Sequence, residues 1–208
     1  MNVRLAIPKI PFRLILDPVP TVEEFEELCA ANSGVDLERT SAGEIVVHAP
    51  AGSGHSAQNA FITYQLVNWW ENHGRGMVCD SSLGVVFPDT SSRSPDAAYI
   101  TGEQAQTIAE EDSDRFLRFI PAFIIELRSQ SDSLVKAKEK MERWIAAGAQ
   151  LAWLVDPYSR SVFIYEAGKT PRVESGNAVV GTGPVDGFVL DLSKVWLLSR
   201  NQGKRPLR

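Results

Sequence analysis

The chain has 208 residues, of which 44% are hydrophobic and 23% charged, so its composition excludes a disordered chain and allows one domain with a substantial core. Its net charge of −5 excludes the class of basic proteins that coat DNA, so any nucleic-acid role must depend on a local site. Two cysteines, Cys29 and Cys79, have neither the number nor the spacing of a zinc site or a disulfide framework, and no apolar run reaches the length of a transmembrane helix.

The start of the chain is rich in proline. This pattern predicts an extended segment over residues 1–20, a single domain over 21–200 and a tail over 201–208. Prolines and charges interrupt the first segment, so it lacks the continuous apolar core of a signal peptide. We therefore expect a cytoplasmic protein that does not associate with a membrane.

The first half of the domain predicts a helix, a hairpin and a second helix. Thr21 and Glu24 have the spacing of a capping box and predict the start of the first helix. The stretch "LERTSAGEIVVHAP" then predicts a hairpin whose second strand runs from Glu44 to His48. The second helix follows "AGSGHS" and is ended by Gly74 and Gly76.

The second half alternates strands with one long helix. Strands are predicted in "MVCDSSLGVVF", "SPDAAYI", "AFIIELR", "LAWLV" and "SVFIYEA". A helix in "SDSLVKAKEKMERWIAAG" begins at Ser131 or Ser133 and ends at Gly148, and "GFVLDLSKVWLLS" predicts a last strand and a short helix. This order predicts an α/β or α+β domain built on one mixed central β-sheet.

Two acids in the predicted strands are candidate metal ligands. Asp96 opens "DAAYI", and Glu126 shares a strand face with Ile124 inside "FIIELR". An ionised carboxylate there is costly unless it is paired or binds a metal. Two such acids on adjacent strands could hold a hard cation that activates water and neutralises a phosphate. On the two acids alone, the favoured alternative is structural: Glu126 pairs with Arg128 or another base, and Asp96 caps a turn.

The helix after Glu126 carries three lysines. When it is turned by roughly 100° per residue, Lys136 points away from the apolar stripe, whereas Lys138 and Lys140 flank the stripe on opposite sides. The stripe consists of Leu134, Ala137, Met141, Trp144 and Ile145. A flanking lysine can reach a strand end, where its ammonium could polarise water or hold a phosphate oxygen. The alternative is a solvated lysine, and spacing does not choose between Lys138 and Lys140.

Glu44 and His55 are further candidates. His55 lies in "AGSGHS" at a predicted helix N-terminus, where an imidazole could face an anion. The alternatives are a turn-edge glutamate and a histidine that hydrogen-bonds to backbone. No GxSxG motif marks a nucleophile.

Four segments, taken in order, resemble the bacterial family of restriction endonuclease-like domains in the PD-(D/E)XK nuclease superfamily. The segments are "GEIVVHAPAGSGHS", "SPDAAYI", "IIELRSQSDSLVKAKEKMERWIAAGAQLAWLVDP" and "GFVLDLSKVW". The resemblance runs from about Thr21 to about Trp196 and implies a mixed central β-sheet flanked by helices. It implies that Asp96 and Glu126 bind the metal and that Glu44 completes the site.

The same resemblance bears on three basic residues. The superfamily pattern has lysine two residues after the glutamate, where this chain has Arg128. The resemblance implies that Lys140 of "KMERW" replaces that lysine from the next helix, and that His55 lines the site. Arginine stays protonated and cannot act as a base, but Arg128 could clamp a phosphate.

The implied activity is hydrolysis of DNA phosphodiester bonds that depends on Mg²⁺ or Mn²⁺, with Lys140 orienting water or stabilising the transition state. Two other hypotheses are a catalytically idle binding or assembly module, favoured by Arg128 in the lysine position, and a hydrolase of a small phosphorylated substrate, which a narrow pocket would favour. A homodimer could form through an edge strand or through Trp69 and Trp70, although burial of these tryptophans in the core is the simpler expectation.

Overall fold

The structure is a computed structural model that describes residues 11–73 and 75–200. Three predicted features lie outside the described residues: the first ten residues of the extended segment, Gly74 at the end of the second helix, and the tail over 201–208. The predicted fold class, a mixed central sheet flanked by helices, is confirmed.

The strands, numbered in chain order, are β1 Phe12–Leu14, β2 Leu37–Arg39, β3 Ile45–Val47, β4 Met77–Cys79, β5 Val85–Val86, β6 Ser92–Arg93, β7 Ala97–Ile100, β8 Phe123–Leu127, β9 Leu151–Asp156, β10 Ser161–Glu166, β11 Arg172–Ser175, β12 Ala178–Val180 and β13 Val189–Asp191. The α-helices are α1 Val22–Ala31, α2 Ser53–His73, α3 Gly102–Ala105, α4 Leu134–Ala147 and α5 Ser193–Arg200.

The central sheet has six strands in the order β11-β10-β9-β8-β7-β4. Neighbours β8 and β9 run parallel and are joined through α4, whereas the other neighbouring pairs are antiparallel. The carboxyl end of β8 therefore meets the amino end of β7 at one edge of the sheet. This edge carries the two candidate acids.

Helices cover both faces of the central sheet. Phe123, Ile125 and Leu127 of β8 pack in one core cluster with Ile62 and Leu66 of α2. On the opposite face, Ile124 packs with Met141 and Trp144 of α4. The predicted alternation along β8 and the predicted apolar stripe of α4 are both confirmed, and the buried face of α4 fixes which side chains reach the sheet edge.

A second, antiparallel sheet of five short strands has the order β1-β3-β2-β6-β5, and the sequence did not predict it. The predicted hairpin forms its centre as β2 and β3. Buried Arg39 anchors this hairpin by donating hydrogen bonds to the carbonyl oxygens of Thr90 at 2.6 Å and Pro20 at 3.1 Å. Its neighbour Glu38 faces the opposite way, towards the edge of the central sheet.

The helix ends follow the predicted signals. At α1, the Thr21 hydroxyl accepts a hydrogen bond from the backbone of Glu24, whose carboxylate accepts one from the backbone of Thr21. Helix α4 begins after Ser133 and ends at Gly148, which has a φ of +128° that favours glycine. Of the helices in the described ranges, none combines the length and hydropathy needed to cross a membrane.

Candidate active site

The acids Asp96 and Glu126 come together at the edge of the central sheet. Strands β7 and β8 pair Ala97 with Ile125, and continuing that register by one residue sets Asp96 opposite Glu126. Asp96 leaves the ladder there, and its Oδ2 accepts a hydrogen bond of 2.7 Å from the backbone N–H of Leu127. The carboxylate of Asp96 is thereby fixed against the end of β8, next to Glu126.

Glu126 is buried, with 7% of its surface exposed, and both of its oxygens are engaged by α4. The indole Nε1 of Trp144 donates a hydrogen bond of 2.8 Å to Oε1. The Nζ atom of Lys140 lies 2.8 Å from Oε1 and 3.0 Å from Oε2. Because Lys140 and Trp144 are one helical turn apart, both side chains reach the same carboxylate.

The lysines of α4 diverge in space. Lys140 points to the sheet edge, where its Nζ also lies 3.4 Å from the carbonyl oxygen of Ser94. Lys138 instead lies over the ring of Phe163, with Nζ 4.3 Å from the ring centroid, and Lys136 is exposed. Of the two lysines that spacing left open, Lys140 is the one that contacts Glu126.

Glu38 of β2 is a third acid near Lys140, and no motif in the sequence marked it as a candidate. Its Oε1 lies 3.7 Å from Nζ of Lys140. Its Oε2 lies 3.2 Å from Nη1 of Arg93 and 3.5 Å from Nε2 of His48. Glu38 and Glu44 flank the same hairpin turn in the sequence, so the hairpin pattern alone could have marked both as candidates.

Glu44 takes a different partner. Its carboxylate forms an ion pair with Arg13, whose side chain is mostly exposed. The structure therefore brings Glu38, rather than Glu44, to Lys140. The physical reason is the docking of the β2–β3 hairpin, which presents one glutamate to α4 and leaves the other beside β1.

Arg128 is engaged in structural contacts. Its Nη1 donates to both carboxylate oxygens of Asp156, at 3.1 and 3.2 Å, and Nε and Nη2 donate to the carbonyl oxygen of Asp132. The guanidinium also lies 5.3 Å from the ring centroid of Tyr158. Arg128 thus ties the turn before α4 to the end of β9, and Lys140 rather than Arg128 pairs with Glu126.

His55 lies in the first turn of α2. Burial lowers its pKa, and the negative charges of Asp132 and Glu126 oppose that shift only in part. Its Nδ1 is buried and has no hydrogen-bond partner within residues 11–73 and 75–200. The ring is therefore neutral near pH 7, and Glu126 lies close enough to influence it.

The charged side chains at the sheet edge shift one another's pKa values. Burial raises the pKa of Asp96, and burial together with the charge of Asp96 raises the pKa of Glu126 to about 7, although Lys140 opposes both shifts. Burial alone would raise the pKa of Glu38, but Lys140, His48 and Arg93 together lower it to about 2. Burial would lower the pKa of Lys140, but Glu126 and Glu38 raise it, so this lysine stays protonated.

The donor set at the edge fits a hard cation. No group of three or more His, Cys, Asp or Glu side chains among the described residues is arranged to hold a metal by itself. Two carboxylates are nevertheless sufficient for Mg²⁺, which keeps several waters and completes its shell with substrate oxygens. Burial is the main cause of the raised pKa values of Asp96 and Glu126, and the charge of Asp96 adds to the shift at Glu126. A bound cation would favour the ionised form of both carboxyl groups.

Two open cavities of about 570 and 460 Å³ lie along the exposed side of α2. They share Thr63, Val67 and Asp80, and neither is lined by Asp96, Glu126 or Lys140. The narrow pocket that would favour a small phosphorylated substrate is therefore not provided by these two cavities.

Comparison with known proteins relates the chain to one family and to solved structures. A family model described as "Putative restriction endonuclease" matches residues 22–193. A crystal structure of "a putative nuclease belonging to DUF820" from Anabaena variabilis ATCC 29413 aligns with a TM-score of 0.70 at 20% sequence identity, over 86% of this chain and 98% of that chain. At this identity the structural likeness shows a shared fold. No curated protein matches the chain.

Proposed function

The chain belongs to the Uma2 family of restriction endonuclease-like proteins, and we propose that it hydrolyses phosphodiester bonds of DNA with a divalent cation, Mg²⁺ or Mn²⁺, held by Asp96 and Glu126. The observation that carries this proposal is the meeting of two partly desolvated carboxylates at the end of β8 with one half-buried ammonium beside them. That combination offers charge of both signs to a phosphate and its attacking water.

The cation, when bound, would supply the positive charge that activates water and neutralises a phosphate oxygen. Asp96 is fixed by the Leu127 backbone through one oxygen and can offer the other. Glu126 is oriented by Trp144, which leaves its carboxylate little rotational freedom. The protein's contribution is thus to pre-position two oxygen ligands in an apolar setting.

Lys140 acts in this proposal as a fixed positive charge. Because Glu126 and Glu38 keep it protonated, it does not serve as a general base. Its ammonium instead donates hydrogen bonds to the attacking water or to a phosphate oxygen. Glu38 takes the supporting position that the family resemblance implied for Glu44, since Glu38 is the acid that reaches Lys140.

The remaining predicted residues receive different roles. His55, neutral and near Glu126, is proposed to line the substrate side of the site. Arg128 is proposed to hold the turn before α4 rather than to clamp a phosphate, because its donors are already satisfied. Its presence in the usual lysine position therefore no longer favours an idle module, since Lys140 supplies the ammonium.

The homodimer stays a prediction. Trp69 and Trp70 pack against the core cluster and so do not form the exposed aromatic surface that a dimer through these tryptophans would require. An edge strand of the central sheet is still available for pairing at β11.

Nicking of a supercoiled plasmid and of a single-stranded oligonucleotide tests the proposal. The wild type and the matched control Lys138→Met should cleave with Mg²⁺ or Mn²⁺ and not with a chelator. Glu126→Gln and Lys140→Met should each lose about a hundredfold or more in rate, because each removes charge used in the transition state. Equal rates in all four proteins would show that the observed cleavage does not arise at this site.

A further inference from the structure

We propose that Lys140 is the internal counter-ion of the acidic centre, and that a divalent cation binding at Asp96 and Glu126 transfers the Lys140 ammonium from Glu126 to Glu38. This inference rests on the cation site proposed above. It assigns Glu38 a role as a positioning residue that acts through Lys140.

Lys140 occupies the place where positive charge is needed. Its Nζ contacts both oxygens of Glu126, at 2.8 and 3.0 Å, and Trp144 donates to one of those oxygens as well. A cation that takes Glu126 as a ligand must share these oxygens with the ammonium. Two positive charges at one carboxylate in a partly desolvated site repel strongly, so the more mobile one moves.

Glu38 provides the alternative acceptor for that ammonium. Its Oε1 is already 3.7 Å from Nζ, so a displacement of about 1 Å brings the pair to the usual distance of a charge-assisted hydrogen bond. The long, flexible stem of lysine allows such a displacement without movement of α4. The carbonyl oxygen of Ser94, 3.4 Å from Nζ, can accept throughout the transfer.

Glu38 is itself held in place for this purpose. Arg93 lies 3.2 Å and His48 lies 3.5 Å from its other oxygen, so Oε2 is occupied while Oε1 faces Lys140. The ammonium stands between Glu38 and Glu126, bonded to one and near the other. Glu38 is therefore an acceptor for lysine and not a ligand of the cation.

This arrangement makes Lys140 a determinant of cation affinity. With the ammonium present, the cation must displace it, and the binding free energy is reduced accordingly. Removing the ammonium should tighten binding, whereas removing the acceptor at Glu38 should weaken it, because the ammonium then has no charged alternative to Glu126.

Calorimetric binding of Mn²⁺ to the full chain, without nucleic acid, measures this competition. We expect Lys140→Met to bind Mn²⁺ more tightly than the wild type by on the order of tenfold. The matched control Lys138→Met, which loses only the contact with Phe163, should bind as the wild type does. Glu38→Gln should weaken binding by about threefold or more while Lys140 is present, and by no more than about twofold in the Lys140→Met background.

The double-mutant cycle separates the possible results. If Glu38→Gln weakens binding equally in both backgrounds, Glu38 is a direct ligand and the transfer is overturned. If Lys140→Met binds as the wild type does, the counter-ion role is overturned while the proposed cation site survives. If none of the proteins binds Mn²⁺, both the transfer and the proposed cation site fall.

Stability measurements keep the test valid if a variant folds poorly. Thermal unfolding identifies such a variant, and Lys140→Gln then replaces Lys140→Met, because its amide can still donate a hydrogen bond to Glu126 without carrying charge. Lys140→Gln should also bind Mn²⁺ more tightly than the wild type. A folded Lys140→Gln that binds equally or more weakly overturns the proposal.

Discussion

The indole of Trp144 donates a hydrogen bond of 2.8 Å to the buried carboxylate of Glu126, 18 residues earlier in the chain. This contact crosses from α4 to β8 and joins the apolar face of the helix to the candidate active site. It also gives Trp144 two separate functions, since the same ring is fully buried in the core.

Replacement of Trp144 by phenylalanine should destabilise the fold more than the same change at Trp153. Both indoles are fully buried, but Trp153 Nε1 has no hydrogen-bond partner among the described residues, whereas Trp144 Nε1 bonds to Glu126. The loss of a hydrogen bond to a charged group predicts an additional cost of about 1.5–3 kcal/mol for Trp144→Phe. Urea unfolding of both variants measures the difference, and equal costs would show that the indole bond contributes nothing to stability.

The ionisation of Glu126 should make stability fall as pH rises. Its folded pKa of about 7 lies above the ordinary glutamate pKa of 4.5, so between these values the native state binds more protons than the unfolded state. The stabilisation is fully present below about 4.5 and is lost as pH rises through about 7. Glu126→Gln, which cannot ionise, should lack this loss, so its stability relative to the wild type should be greater at pH 8 than at pH 5.

Denaturant unfolding of the two proteins at pH 5 and pH 8, without added cation, measures this shift. A difference between wild type and Glu126→Gln that does not change with pH would contradict the raised pKa. Addition of Mg²⁺ or Mn²⁺ at pH 8 should restore part of the wild-type stability and leave Glu126→Gln nearly unchanged, because a ligand stabilises the state that binds it.

The two glutamates of the hairpin, Glu38 and Glu44, should contribute differently to stability at low pH. The pKa of Glu38 is lowered to about 2 by Lys140, His48 and Arg93, against the opposing effect of burial. Its stabilisation is therefore present above about 4.5 and is lost as pH falls through about 2. Glu38→Gln should remove this part of the acid dependence, whereas Glu44→Gln, which breaks only an exposed pair with Arg13, should cost about 0–1 kcal/mol.

Unfolding measured from pH 6 down to pH 2.5 compares the two variants. The gap between wild type and Glu38→Gln should narrow as the pH falls, and the gap for Glu44→Gln should stay small throughout. If Glu44→Gln lowers stability more than Glu38→Gln does, the ion pair of Glu44 with Arg13 is the one that stabilises the hairpin.

Arg128→Ala should lower stability rather than the activity of the folded protein. It removes the ion pair of Asp156, whose side chain is 1% exposed, and leaves only Tyr158 N–H and the Ser159 hydroxyl as its donors, at an expected cost of about 1–3 kcal/mol. The double variant with Asp156→Asn should recover part of this loss, since the buried charge is then removed as well. Unfolding free energies and the DNA nicking rate per folded molecule are the measurements. A rate loss without a stability loss would instead support a phosphate contact by Arg128.

The sequence located the strands and helices that carry the site because their signals are local. Period-two alternation in "FIIELR" placed Glu126 on the strand face of Ile124, and the apolar stripe of α4 left Lys138 and Lys140 on its two flanks. The packing of β8 and α4 confirms the alternation and the stripe. The choice between Lys138 and Lys140 required the position of Phe163, which lies beyond the next strand and attracts Lys138.

The parts that sequence could not predict depend on distant partners. Glu38 faces Lys140 because buried Arg39 docks the hairpin against Thr90, 51 residues away. Arg128 is occupied because Asp156, 28 residues later, ends the parallel neighbour of its strand. Neither pairing leaves a periodic trace in the sequence, since each depends on residues that are far apart along the chain.

Phe87 packs against Trp144, with ring centroids 4.6 Å apart. Phe87 has no polar atom in its side chain, but through Trp144 it is linked to the Glu126 carboxylate. Any change that repacks Phe87 shifts the indole, and with it the orientation of the Glu126 carboxylate. Core packing and the geometry of the candidate site are therefore not separable at this position.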